Sequence, residues 1–384
     1  MKPGADLVDN RVPLSIPNIG TRERELVLEA VESGFVSSVG PLVSRFEHEF
    51  AAAVGARFAV ACASGTAALH LGLRVLGVRS GDLVAVSDFT FVASANPVRY
   101  QGADVLLVDS DSSTWNLDPT LLAAELDRRA SVGERLPAAV EVVHVLGQPA
   151  RLAEIVETCD RFGIPVLEDA AESLGATWSA GPLAGRHTGS VGAVGAFSFN
   201  GNKIATTGGG GMLVTDDEAL AARARHLSTQ AKVPDVGYLH DEVGYNYRLT
   251  NVAAAIGIAQ LERLGGFIAR KREIARRYDE AFAGMDVVLP PRLDGYESTY
   301  WLYSVLMRDT EQRDRLLQHL AAEGIEARAL WRPLHAQPPY AHAARVGGTL
   351  GADLFARGVS LPCSTQLSDA DQSRVIDAVL RYLS

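Results

Sequence analysis

The chain predicts an α/β protein, a mainly parallel, doubly wound sheet covered by helices on both faces and followed by a smaller α+β unit. Short strand-like apolar runs alternate with helical segments through residues 58–215, the pattern of βαβ units. Apolar residues recur at helical spacing from Asn251 to roughly Phe282, which supplies a long connector. An aromatic-rich strand at 300–307 then opens a different α+β pattern. At 384 residues and 47% hydrophobic content, the chain can bury one large core with a smaller one appended. The division falls near residues 250–290: an N-terminal arm at 1–40, a large domain at 41–250, and the connector helix with a small C-terminal domain at 251–384.

In order along the chain, residues 21–33 and 42–53 carry apolar residues at helical spacing, so the arm reads as two helices. The loop between them, residues 34–41, could reach a partner subunit. Strand-like runs follow at 58–62, 83–87, 105–109, 139–146, 165–169, 193–199 and 212–215. Ala63-Ser-Gly-Thr-Ala67 follows the first strand and opens a helix at 67–76. Backbone N–H groups and the Thr66 hydroxyl in such a turn can grip a phosphate, although a plain N-cap has the same signature. Residues 121–138 read as a surface helix and loop, and no internal repeat stands out.

Charge and composition narrow the function. With 36 basic against 46 acidic residues the net charge is −10, which argues against a nucleic-acid or anionic-membrane surface as the main partner. Any anion site must therefore be local. Cys62, Cys159 and Cys363 are odd in number and widely spaced, so buried free thiols are expected rather than a disulfide framework or a CxxC metal site. Residues 1–10 lack a basic-then-apolar signal pattern, and no apolar run approaches the roughly 20 residues of a membrane span. The expected location is cytoplasmic. Gly201-Asn-Lys203 lacks the Gly-Lys-Ser/Thr of a Walker loop and no GxGxxG follows the first strand, so NTPase and nicotinamide readings have little support. The nine histidines form no HxxxH pattern, and no catalytic metal is expected.

The chemistry lies in two blocks. Lys203 sits in Phe197-Ser-Phe-Asn-Gly-Asn-Lys-Ile-Ala-Thr-Thr-Gly-Gly-Gly-Gly211, a glycine-rich turn between strand-like segments, and is a candidate Schiff-base nucleophile. The apolar run Ile164-Pro-Val-Leu167 ends in Glu168-Asp169-Ala-Ala-Glu172-Ser173, which puts carboxylates at the C-terminal edge of a buried strand. Open α/β sheets place their ligands at that edge. A lysine that can form an imine and an acid that can keep a pyridine nitrogen protonated are the two protein groups that pyridoxal 5′-phosphate (PLP) chemistry requires. By period-two alternation Glu168 faces the other side of the strand and reads as structural.

These blocks, together with Asp241-Glu-Val-Gly-Tyr-Asn-Tyr-Arg-Leu-Thr-Asn251, resemble the corresponding blocks of the fold type I sugar aminotransferases, the DegT/StrS group. The likeness runs nearly end to end. It spans Val12-Pro-Leu-Ser-Ile-Pro-Asn18, Gly34-Phe-Val-Ser-Ser-Val-Gly40, Trp331-Arg-Pro-Leu-His335 and Ser360-Leu-Pro-Cys-Ser364. The flanking motifs are most similar to aminotransferases of the legionaminic acid and bacillosamine pathways, which aminate a nucleotide-linked 4-keto-6-deoxy-N-acetyl hexose. A UDP-linked acceptor of that type is therefore expected, with L-glutamate as donor.

The resemblance also implies a seven-stranded sheet in the large domain, PLP as cofactor, and a homodimer with shared active sites. It implies that Lys203 holds the cofactor and shuttles a proton, and that Asp169 partners the pyridine nitrogen. Glu172, at a position that is often Gln in the group, would lie near the phenolic oxygen. Ser64, Gly65, Thr66 and Ser198 would grip the phosphate, with Asn251 donated by the other subunit. Phe91 would stack on the ring, and Ser37, Tyr247, Arg248, Arg332 and His335 would line the substrate side. Lysine at 203, where related dehydratases carry histidine, favours transamination. Alternative acceptors are a GDP-linked 4-keto sugar, a 3-keto sugar or a cyclitol ketone, and the alternative outside catalysis is a PLP- or sugar-nucleotide-binding regulator of the same fold.

Overall fold

The computed structural model describes residues 11–234 and 236–384. The segment 1–10, read above for targeting signals, lies outside the described residues. The strands are Phe58–Cys62 (β1), Leu83–Ser87 (β2), Asp104–Val108 (β3), Ala139–Val143 (β4), Val166–Asp169 (β5), Thr177–Trp178 (β6), Val194–Ser198 (β7), Gly211–Thr215 (β8), Tyr296–Glu297 (β9), Tyr303–Leu306 (β10), Arg328–Ala329 (β11), Ala344–Val346 (β12) and Gly358–Leu361 (β13). The helices are Thr21–Glu32 (α1), Pro41–Val54 (α2), Gly65–Val75 (α3), Asn96–Tyr100 (α4), Pro119–Val132 (α5), Leu152–Arg161 (α6), Glu218–Ser228 (α7), Asn251–Phe282 (α8), Thr310–Ala322 (α9), Leu350–Arg357 (α10) and Asp369–Leu383 (α11).

The large sheet runs β1-β8-β7-β5-β4-β2-β3-β12. From β7 to β12 all neighbours are parallel, and β8 is antiparallel to both β7 and β1. Parallel strands joined by helical crossovers are covered on both faces, so they read as continuous apolar runs. Val84, Val86, Leu107, Leu167 and Leu213 face α3 in one core layer. Leu83, Ala85, Leu106, Val108, Val140 and Val166 face α5 and α6 in another. Behind β1, β8 and β7, Phe46, Phe50, Phe197 and Phe199 pack with α1, α2 and the first half of α8.

The sheet has eight strands where seven were expected. The eighth, β12, comes from beyond the connector and pairs in parallel with β3, Ala344 opposite Leu106. Without it β3 would offer an open row of backbone donors and acceptors. Its flanks are tied down as well: Tyr340 Oη donates to Asn96 Oδ1 at 2.6 Å, and Asp109 accepts from the N–H groups of Leu350 and Gly351. The strand expected over 139–146 ends at Val143, because Leu146 takes a left-handed conformation, φ 56°, in a 3-10 turn. The strand expected over 300–307 begins only at Tyr303, after Tyr300 at φ 49°.

Helix α8 joins the large sheet to a three-stranded sheet, β10-β13-β11. Its C-terminal half gives Ile274, Ala275, Tyr278 and Phe282 to a core shared with α9 and α11. By length and composition α8 could cross a membrane; here its apolar side chains lie in these two cores. The three cysteines are buried free thiols.

Candidate active site

The C-terminal ends of β5 and β7, the N-terminus of α3 and the loops after β2 and β7 enclose a cavity of about 510 Å3. Ser64, Gly65, Thr66, Phe91, Asp169, Glu172, Ser198 and Lys203 all line it. They come from four separate stretches of sequence, brought together at the sheet edge where a parallel fold places ligands.

Asp169 is the last residue of β5 and is buried. Its Oδ2 accepts from Ser94 Oγ at 2.8 Å and its Oδ1 from the Ala171 N–H at 3.0 Å. Burial pushes its acid above the usual value, while Ser94, Ala171 and Lys203 pull it back. Glu168 does point the other way. It bonds His144 Nε2 at 2.8 Å and accepts from the N–H groups of Gly189, Val191 and Gly192. Burial raises its acid, but His144 and these N–H groups outweigh that and hold it below the ordinary range. Glu168 thus fixes the turn before β7. Glu141 on β4 is a third buried carboxyl, unbonded among the described residues. Burial, then the nearby Asp169, push its acid well up.

Lys203 projects from the turn after β7. Its Nζ lies 3.6 Å from Glu172 Oε1 and 3.9 Å from the centre of the Trp301 ring. Glu172 also accepts from the Leu146 N–H at 2.8 Å. Burial pushes the Glu172 acid up to about 7 despite the opposing pull of Lys203, so it is poised between its two forms near neutrality.

At the other end of the cavity Ser64 Oγ caps α3 by accepting from the Ala67 N–H at 3.0 Å. This leaves the first-turn N–H groups of Gly65 and Thr66 beside the Ser198 hydroxyl, an arrangement suited to a phosphate. The cradle depends on missing side chains: a Cβ at Gly65 would lie 2.7 Å from Ser198 Cβ, and one at Gly211 would lie 2.4 Å from Ser64 O. Phe91 is 50% exposed, so it is a rim residue rather than core, with its ring 6.3 Å from that of Trp331. Lysine, buried acid, phosphate cradle and open aromatic face together match what PLP needs at its aldehyde, nitrogen, phosphate and ring.

Other residues expected at the site lie outside this chain's cavity. Asn251 is buried, with Oδ1 accepting from the Leu42 N–H, Nδ2 donating to Phe35 O and its own N–H donating to Ser37 O. It pins the 34–41 loop, on which Ser37 is exposed. Tyr247 bonds His70 Nδ1 at 3.1 Å and stacks on Tyr245, Arg248 lies 3.9 Å from Glu47, Arg332 covers the Phe355 ring, and His335 pairs with Asp88. Conversely, sequence reasoning missed Ser94, Trp301, Trp331 and Arg328, all of which line the cavity. Trp331 stood in a motif already singled out; its neighbours Arg332 and His335 drew attention because they are charged. The one His/carboxylate group among the described residues with ligand-like spacing is His226, Asp241 and Glu242. Glu242 is already paired with Arg74 and Arg223, and His226 with Asp241.

The sheet order and this site define a fold type I PLP-dependent transferase. The chain belongs to the DegT/DnrJ/EryC1/StrS aminotransferase family, whose model matches residues 17–380. It is 44% identical to EpsN of Bacillus subtilis (strain 168) over 96% of this chain and 95% of that protein. It is 39% identical to the GDP-perosamine synthase of Caulobacter vibrioides over 97% and 98% of the two chains. Among solved structures, a DegT DnrJ EryC1 StrS aminotransferase from Brucella abortus superposes with a TM-score of 0.88 at 31% identity, covering 94% of this chain and 95% of that one. The PLP form of Spr1654 from Streptococcus pneumoniae superposes at 0.86 with 25% identity, covering 97% and 100%. The chain is accordingly a PLP-dependent sugar aminotransferase, with a role in amino sugar biosynthesis.

Proposed function

We propose that the enzyme transfers the amino group of L-glutamate to a nucleotide-linked 4-keto-6-deoxy sugar, giving the 4-amino sugar. The observation that carries this is the convergence of Lys203, Asp169 and Glu172 on one cavity whose far end is the Gly65–Ser198 cradle. When bound there, PLP supplies an electron sink for the carbanion formed at the reacting carbon. Lys203 holds the cofactor and, once released, takes a proton at Nζ from the donor carbon and returns it to the cofactor carbon. Asp169, oriented by Ser94 and the Ala171 N–H, keeps the pyridine nitrogen protonated. Thr66, Ser198 and the backbone of Gly65 hold the phosphate, and Phe91 covers the ring.

The active unit is a homodimer. Phe35, Val36 and Val39 are exposed apolar residues on the loop that Asn251 pins, and that loop is placed to reach a partner's site. Ser37, Tyr247, Arg248, Arg332 and His335 then serve the substrate side of the assembled site, with Asn251 on the partner's phosphate. The domain division falls within α8, where one core gives way to the other. Three buried thiols suit a reducing, cytoplasmic setting.

Relatives named GDP-perosamine synthase, at 39%, 36% and 33% identity, favour a GDP-linked acceptor over the UDP-linked N-acetyl sugar. A panel of GDP- and UDP-linked 4-keto-6-deoxy sugars, a 3-keto sugar and a cyclitol ketone, read by amino-product formation from labelled glutamate, tests both parts. Product from a 4-keto nucleotide sugar, abolished by Lys203→Ala, is expected. Product only from the other ketones contradicts the acceptor, and full turnover in Lys203→Ala contradicts the site.

A further inference from the structure

Trp301 is held with unusual care for a residue that only fills space. Its ring Nε1–H donates to Asn202 O at 2.7 Å, which ties it to the turn that carries Lys203. Trp331 stacks against it at 6.1 Å and 20°. The Trp301 carbonyl accepts from the buried Lys271 Nζ at 3.0 Å. The preceding Tyr300 is at φ 49°, a conformation that a bulky side chain takes only where its surroundings impose it. Trp301 is 4% exposed and the Lys203 side chain 13%, so the ring face and the ammonium meet largely out of water. The π-face of an indole is its negative face and attracts a cation most strongly when the pair is desolvated.

We propose that Trp301 is a positioning residue for proton transfer by Lys203: its ring face stabilises the positive charge that develops on Nζ as the lysine takes the proton from the α-carbon of the amino donor. The idea rests on the reading of Lys203 as the lysine that carries the cofactor and the proton. In the step, the C–H bond breaks and its electron pair stays on the donor carbon, drawn into the bound cofactor. The Nζ lone pair forms the new N–H bond, and the same proton is later given up to the cofactor carbon, which restores the neutral amine. Positive charge therefore appears at the atom that lies 3.9 Å from the ring centre and 3.6 Å from Glu172 Oε1. Groups fixed in advance where charge develops stabilise the transition state without reorganising. The ring also limits the wandering of a four-carbon stem once the lysine is detached from the cofactor.

Two substitutions separate the ring face from the indole hydrogen bond. Trp301→Leu removes both, whereas Trp301→Phe keeps a smaller aromatic face and loses Nε1–H with the second ring. In single-turnover reaction with glutamate, Trp301→Leu is expected to slow amino transfer roughly tenfold to thirtyfold. It should also raise the isotope effect with α-deuterated glutamate while leaving glutamate KM nearly unchanged, and Trp301→Phe should recover most of the rate. Replacing all four tryptophans with 5,7-difluorotryptophan drains the ring faces at nearly constant shape. It should slow the step and raise the isotope effect even if Trp301→Leu fails to fold.

A second readout needs no cofactor. The chain has four lysines, Lys2, Lys203, Lys232 and Lys271, so 13C-methylation of the cofactor-free protein gives few signals. The Lys203 signal, identified by its loss in Lys203→Ala, should be displaced upfield by the indole ring current and should return toward the free-lysine position in Trp301→Leu. An undisplaced Lys203 signal in the wild type, or an unchanged rate and isotope effect in Trp301→Leu and in the fluorinated protein, overturns the proposal. Full turnover in Lys203→Ala would instead sink the underlying reading of Lys203, so the two failures are distinguishable.

Discussion

Glu172→Gln isolates one buried proton. In the folded protein burial raises the Glu172 acid from 4.5 to about 7. The native state therefore binds this proton more tightly than the unfolded chain does. The associated stability is fully present below pH 4.5, where both states are protonated, and it is lost as pH rises to about 7, above which nothing further is lost. A gap of this size corresponds to about 3 kcal/mol. Gln copies the protonated acid in shape and never ionises, so the variant lacks this loss. Urea unfolding of the cofactor-free protein and of Glu172→Gln, at steps between pH 4.5 and 8, measures the difference directly. The stability gap between the two proteins should shift in the variant's favour by about 3 kcal/mol across this range and then level off. Parallel pH profiles would refute the assignment of a raised acid at Glu172 and with it the idea that this residue is poised between two forms beside Lys203.

Other consequences are open to simple assays. Gly65→Ala puts a Cβ 2.7 Å from Ser198 Cβ, so PLP affinity measured by titration should fall by tenfold or more, about 1.4 kcal/mol, while Gly266→Ala, on the exposed side of α8 where a Cβ meets nothing within 4 Å, should leave it unchanged. His144→Ala removes a hydrogen-bond partner of the buried Glu168 and should cost about 1–3 kcal/mol of stability, read as a lower urea midpoint. In the wild type the depressed Glu168 acid contributes stability that is present above pH 4.5 and is lost as pH falls through its lower folded value, so acid unfolding should begin earlier in His144→Gln. Asn251→Ala removes the two side-chain hydrogen bonds, from the Leu42 N–H and to the Phe35 carbonyl, that anchor the 34–41 loop, and should weaken self-association in sedimentation as well as activity.

The strands β1 to β5, β7 and β8 were legible because burial on both faces makes each a continuous apolar run, as in the fully buried Leu83–Ser87 and Ala139–Val143. β12 was not, because Ala344–Val346 is three residues long with two of them exposed. Only its backbone pairing with β3 makes it a strand, and no side-chain period records that. The end of β4 was illegible for a related reason: Leu146 at φ 56° is imposed by packing rather than by residue type. At the site, Lys203 announced itself by its glycine surroundings and Asp169 by its place at a strand end. Ser94, 75 residues from the carboxylate it orients, and Trp301, 99 residues from the Asn202 carbonyl it bonds, are ordinary residues in their own neighbourhoods. Their roles exist only once crossovers and α8 bring those segments together.

The most direct test of the account is the visible absorption of the PLP-loaded protein, followed as glutamate and then a GDP-linked 4-keto-6-deoxy sugar are added. The band of the Lys203-bound cofactor should disappear with glutamate and return with the sugar, and borohydride treatment of the starting form should fix the cofactor on the peptide containing Lys203. A band that glutamate leaves unchanged, or cofactor fixed on any other lysine, would contradict the central claim.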